Sequence, residues 1–136
     1  MFDTPSSNDE ILQKVVQFED MLKGKSFTFF DVEDYENIVD YYIDVEMTSK
    51  AISALDFGLN QFPNDLTLSL IKVEVLNSKQ LFDDSYRLLK SLEQFYPNNI
   101  DILFNLGKIY SITNRIQTAK IYFENTLNLI RVNDSY

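Results

Sequence analysis

Two short segments, Phe62-Pro63-Asn64 and Tyr96-Pro97-Asn98, constrain this chain more than anything else in it. Each is an aromatic residue, a proline and an asparagine. Proline lacks a backbone donor and clashes with a preceding helical turn, so each should end a helix and redirect the chain. The interval from Pro63 to Pro97 is a period long enough for two helices and two turns. Aligned on it, the sequence divides into three units of about 32–65, 66–99 and 100–133, each read as two helices joined by a short polar turn.

Only three Gly and three Pro occur in 136 residues, and no stretch alternates cleanly between apolar and polar residues. Both facts favour helices over strands. Ahead of the repeats, a helix is predicted from a cap at Ser7 or Asn8 to about Lys23. Ile11, Val15, Phe18 and Leu22 form its apolar stripe, Leu12 and Val16 widen it, and Gly24 stops it. Ser26-Phe27-Thr28-Phe29-Phe30 reads as an apolar connector docked on helices, with a short strand as the alternative. Asp31 then suits an N-cap, with Asp34 at the capping-box position and Phe30 and Tyr35 at the ends of a hydrophobic staple. Ile38, Tyr41, Tyr42 and Val45 continue a helical stripe. Asn64-Asp65 and Asn98 are natural caps for later helices.

In the third unit, Leu106-Gly107 followed by Tyr110, and then Ala119 and Phe123, resemble the tetratricopeptide repeat family. Tyr42, Ala51, Leu55, Gly58 and Pro63 match it in the first unit. Val73, Leu76, Ser85, Leu89, Leu92 and Pro97 stand in the corresponding places of a more divergent second unit. The resemblance spans about three-quarters of the chain. It implies an all-α fold: a right-handed α-solenoid of antiparallel helix pairs, with residues 1–31 as an N-terminal capping helix and connector and 32–136 as three repeats. It also implies a non-catalytic scaffold for a protein or peptide. Packing points the same way: Ala51, Gly58, Gly107 and Ala119 fall where paired helices must approach closely.

Composition removes other functions. With no Cys and no His, the chain has no thiolate chemistry, no disulfide, and neither the commonest general base nor the commonest transition-metal ligand. No nucleophile elbow, P-loop or glycine-rich phosphate loop is present, so no enzyme and no cofactor are expected. The start, Met1-Phe2-Asp3-Thr4-Pro5-Ser6-Ser7, has neither a basic region nor an apolar run, and no stretch of about 18 apolar residues follows. A cytoplasmic protein is the expectation. The net charge of −9 argues against nucleic-acid or anionic-membrane binding and favours a basic or neutral partner.

That charge is local. Residues 1–30 carry −2, residues 31–46 carry seven acids and no base, and residues 47–136 carry nine of each sign. Acids at a helix start are favoured by its dipole, which accounts for Asp31, Glu33, Asp34 and Glu36. Asp40 and Asp44 lie beyond that first turn. Glu36, Asp40 and Asp44 share one helix face, where like charges four residues apart repel. By the family resemblance, Glu33, Glu36, Asp40 and Asp44 line a concave groove that continues through Leu70, Glu74, Phe104 and Lys108. An acidic pocket for a basic segment and a merely solvated acidic face both remain open. Calcium is disfavoured, because Asp31-Val32-Glu33-Asp34 lacks the glycine turn that wraps the ion. The family's carboxylate clamp is disfavoured as well, since its places hold Glu36 and Asp40, then Leu70 and Glu74, with Asn105 alone in the third unit. Phe104 reads either as an anchor for a partner side chain or as core. The last helix, about 116–131, is apolar nearly all round, through Ile116, Ile121, Tyr122, Phe123, Leu127, Leu129 and Ile130. Its exposed face would join a second copy, as a homo-oligomer, or the rest of a longer array.

Overall fold

The computed structural model describes residues 7–134; the start of the chain, read above for a targeting signal, and its last two residues lie outside them. Among the described residues seven helices follow one another: α1 (Ser7–Leu22), α2 (Val32–Asp44), α3 (Thr48–Gln61), α4 (Leu66–Ser78), α5 (Phe82–Phe95), α6 (Ile100–Ile112) and α7 (Ile116–Asp134). No strand occurs among the described residues. The helices form two compact units that divide between Leu68 and Ser69, inside α4.

The helix boundaries repeat with the period of the prolines. The first-helix caps are Asp31, Asp65 and Asn99, each one full period after the last. Asp31 and Asp34 form a reciprocal capping box, with Asp34 N–H donating to Asp31 Oδ1 at 2.8 Å. Leu68 N–H donates to Asp65 Oδ2 at 2.9 Å, and Ile102 N–H to Asn99 Oδ1 at 3.1 Å. Each satisfies a helix N–H that has no intrahelical partner. The third cap is therefore Asn99 and not Asn98. Helix α1 runs from Ser7, the first described residue.

The turns inside the pairs repeat too. Glu46, Gln80 and Asn114 all take left-handed backbone, with φ of 61°, 60° and 66°, and they share the same period. In each, the left-handed residue donates to the carbonyl three back and the next to the carbonyl five back: Met47 N–H to Tyr42 O, Leu81 N–H to Leu76 O, Arg115 N–H to Tyr110 O. This closes the last carbonyls of α2, α4 and α6. Glycine fills this place only after α1, at Gly24 (φ 73°).

In the first unit, Phe18 of α1 is fully buried, its ring meeting the edges of Phe30, Tyr42 and Phe57 at centroid distances of 6.3, 6.4 and 5.6 Å. Phe30 and Tyr35 make the staple, at 5.6 Å. The carboxylate of Glu19 accepts from Tyr42 Oη at 2.9 Å and Lys50 Nζ at 3.0 Å, tying α1 to α2 and α3. Those hydrogen bonds, the lysine's first, hold the Glu19 carboxyl below its usual pKa. The stripe of α1 is narrower than its sequence suggests: Val15 and Phe18 are buried, whereas Leu12, Val16 and Leu22 are exposed. The connector docks through Phe30 alone, since Phe27 and Phe29 face solvent. On α2, Val39 joins the core; just past its end, Val45 is exposed.

Close approach sets the pairing in both units. A Cβ at Gly58 would stand 3.0 Å from Tyr35 Cγ, and one at Gly107 only 2.6 Å from Phe123 Cε1. Ala51, Ser85 and Ala119, which occupy equivalent places one period apart, are all buried. In the second unit Val73, Leu76, Leu89, Leu92, Leu103 and Leu106 complete the core. Lys90 donates to Glu93 at 2.7 Å, and Tyr122 Oη to the other Glu93 oxygen at 2.8 Å, joining α5 to α7.

Two substitutions test these constraints. Gly107→Ala should lose about 1–3 kcal/mol in urea denaturation through overpacking against Phe123, with part recovered on adding Phe123→Leu. Glu46→Gly or Gln80→Gly should gain about 0.5–1 kcal/mol, because glycine carries no steric penalty in the left-handed region.

Candidate functional site

Of the acidic residues singled out in the sequence, Glu33, Asp34, Glu36, Asp40 and Asp44 sit on α2 and Asp31 caps it. Capping consumes two of the block, Asp31 and Asp34, and Asp34 also lies 3.6 Å from Lys14. Glu33, Asp40 and Asp44 are exposed and Glu36 is half-buried. The charges that reach Glu36 are all acidic: Asp65, Asp40, Glu33 and Asp31. Burial first, then these neighbours, raises its carboxyl pKa. Asp40 is raised as well, by burial first and then by Asp44. A carboxyl whose pKa is higher in the folded chain than in the unfolded chain binds its proton more tightly when folded. Stability contributed this way is present at low pH and lost as pH rises through the raised value. Glu36 and Asp40 therefore cost the fold stability at neutral pH, and no base among the charges acting on them offsets the cost.

Asp40 and Asp44 open into a cleft of about 340 Å³ between α1 and α2. Its walls are Asn8, Ile11 and Leu12 from α1 and Asn37, Asp40, Tyr41 and Asp44 from α2. The α2 residues fall at i, i+3, i+4 and i+7, one face of the helix. Two carboxylates, an aromatic ring and aliphatic walls together suit a long side chain ending in a cation: the acids take the charge, and Tyr41 with Ile11 and Leu12 covers the stem. Sequence reasoning misses Tyr41 and Asn37 as site residues, and it assigns Tyr41 to the core stripe. Tyr41 is instead half-buried, its ring 5.7 Å from that of Tyr42. The i, i+3, i+4, i+7 spacing around Asp40 and Asp44 is the signal that could have found both. Among the described residues, no group of three or more acids converges to hold a metal ion. Nor is any helix there long and apolar enough to cross a membrane.

The remaining candidates lie in the second unit. On α4, Leu70 is half-buried and Glu74 exposed. On α6, Phe104 is 46% exposed, so it is not a core residue; its ring stands 5.8 Å from that of Phe123, and Lys108 Nζ lies 5.2 Å above it. The structure thus brings Phe104 and Lys108 together as a cation–π pair, and separately gathers Asp40 with Asp44. A second cleft, about 440 Å³, runs along α7 and is lined by Ile116, Ala119, Lys120, Phe123, Glu124 and Leu127, with Ser111 of α6.

Comparison with known proteins places this geometry. Residues 88–121 match the tetratricopeptide repeat family model. No curated protein sequence matches the chain. Among solved structures, MamA superposes with a TM-score of 0.76 at 17% identity, covering 95% of this chain and 71% of that one. MamA from Desulfovibrio magneticus RS-1, residues 41 to the end, superposes with a TM-score of 0.65 at 14% identity, covering 91% and 77%. YrrB, described as a tetratricopeptide repeat protein with an unusual peptide-binding site, gives 0.68 at 13% identity, covering 90% and 61%. At these identities the likeness carries the fold, which is the all-α, tetratricopeptide-like solenoid class. Residues 88–121 thus match one tetratricopeptide repeat in sequence, and the helix pairs share the tetratricopeptide-like fold in structure.

Proposed function

We propose that this chain is a non-catalytic scaffold that holds a basic segment of a protein or peptide on its acidic α2 face. The observation that carries the reading is the cleft beside Asp40 and Asp44, where two carboxylates and the Tyr41 ring meet with no base among the charges acting on Asp40. A lysine or arginine of the partner would neutralise the repulsion that local structure leaves in place. Glu36 and Glu33, one and two turns earlier on the helix, would extend the contact toward its start. YrrB is described as having a peptide-binding site on a related fold, which supports the class of ligand without identifying it. Leu70, Glu74, Phe104 and Lys108 are proposed as further contacts, on the second unit.

A second reading is self-association through α7. It is favoured by Ile116, Leu127 and Ile130, which the chain leaves 52%, 45% and 39% exposed.

For the acidic face, Asp40→Lys with Asp44→Lys should weaken a lysine-rich peptide at least about tenfold at low salt, through charge reversal at the contact. Fluorescence anisotropy measures this, and circular dichroism should show unchanged helicity. Wild-type affinity should fall with added salt. An unchanged affinity in the double variant would sink the reading. Binding should also depend on pH. A bound cation favours the ionised carboxylates, so affinity should fall as pH is lowered through their raised pKa values, beginning above the ordinary 3.8 of Asp40 and 4.5 of Glu36. Replacing Asp40 and Glu36 by Asn and Gln should flatten that dependence.

A further inference from the structure

We infer that the α7 cleft is the interface of a two-fold dimer, in which the α7 helices of two copies of this chain run antiparallel. The inference rests on the self-association reading and adds its geometry. The apolar surface is large enough. Phe104, Ile116, Leu127 and Ile130 are each about half exposed, at 46%, 52%, 45% and 39%. With full areas of about 200 Å² apiece, they leave roughly 360 Å² of apolar surface per copy and roughly 730 Å² per pair. At the usual apolar share of an interface this implies about 1,200 Å² in total, the lower end of stable specific contacts. The patch is joined to the cleft: the rings of Phe104 and Phe123 are 5.8 Å apart, and Phe123, Ile116 and Leu127 line it.

The charges on the cleft fit a second copy. Among the described residues, the charged ones lining it are Lys120 and Glu124, one helical turn apart on α7. Both are exposed, and no salt bridge joins either to another described residue. A two-fold axis at residue 122, midway between them, sets Lys120 of each copy against Glu124 of the other. The two pairs form together and flank the apolar stripe. An isologous contact of this kind requires a patch that complements itself, which an i, i+4 pair of opposite sign provides. Facing second units also brings little net repulsion. Residues 69–136 carry eight Lys+Arg and seven Asp+Glu, a charge of +1, while residues 1–68 carry four and fourteen, a charge of −10.

Sedimentation equilibrium of the full chain, with circular dichroism to confirm folding, tests the inference. The wild type should show a reversible monomer–dimer equilibrium in the micromolar range. Lys120→Glu alone and Glu124→Lys alone should each weaken it about tenfold, since each opposes like charges twice. The double variant Lys120→Glu/Glu124→Lys should recover wild-type affinity. So should an equimolar mixture of the two single variants, because both cross-pairs are then of opposite sign. A wild type that stays monomeric up to millimolar concentration would overturn self-association itself. A wild type that dimerises while the single variants are unaffected, or the double variant is not restored, would overturn the two-fold arrangement and leave association through another face.

Discussion

Helix pairs in this protein hold together because their backbones approach closely at a few small residues, and everything else is arranged around those points. At Gly107 the Phe123 ring occupies the space a side chain would need, and at Gly58 the Tyr35 ring does. Ala51, Ser85 and Ala119 recur at the same place in the three pairs. A larger side chain at any of them must push a whole helix outward, because the interior has no spare volume. The aromatic residues supply the complementary bulk. Tyr35, Tyr42, Phe18 and Phe30 are fully buried and fill what the small residues leave open.

Around these contacts the ends of the helices are closed by local chemistry that repeats with the same period. Asp31, Asp65 and Asn99 close the starts of α2, α4 and α6, and Glu46, Gln80 and Asn114 turn the chain after them. The turns need positive φ, yet none of the three carries glycine, so each bears a strain that packing must offset. That choice hides the turns from a reading of glycines and prolines. The prolines mark the other connection, where Pro63 and Pro97 come shortly after the ends of α3 and α5.

Charge divides along the same chain. The first unit carries all of the net acidity, and part of that acidity is ordinary helix capping. Asp40 and Asp44 are not: they lie past the first turn, repel one another, and border a cleft whose remaining walls are aromatic, aliphatic and amide. The second unit is close to neutral and presents an apolar stripe along α7. As proposed, the two faces would take different partners, one electrostatic and salt-sensitive, the other apolar and concentration-dependent.

Period and helix starts were legible in the sequence, because caps, prolines and small residues are chosen by backbone geometry that acts over a few residues. The spacing of Pro63 and Pro97, the Asp31 capping box, the Phe30–Tyr35 staple and the isolation of Asp40 and Asp44 all follow from such local rules. Which side chains stay wet does not. Leu12, Val16, Phe27 and Phe29 are apolar and yet exposed, Val39 is buried on a face the stripe left out, and Tyr41 lines a cleft instead of the core. Those outcomes depend on where a neighbouring helix lies, a distance set by residues far away in the chain. The same holds for Lys120 and Glu124, an unremarked pair in sequence. Only the packing of α7 on α6 turns them outward, beside an apolar surface that the described residues of their own unit leave exposed.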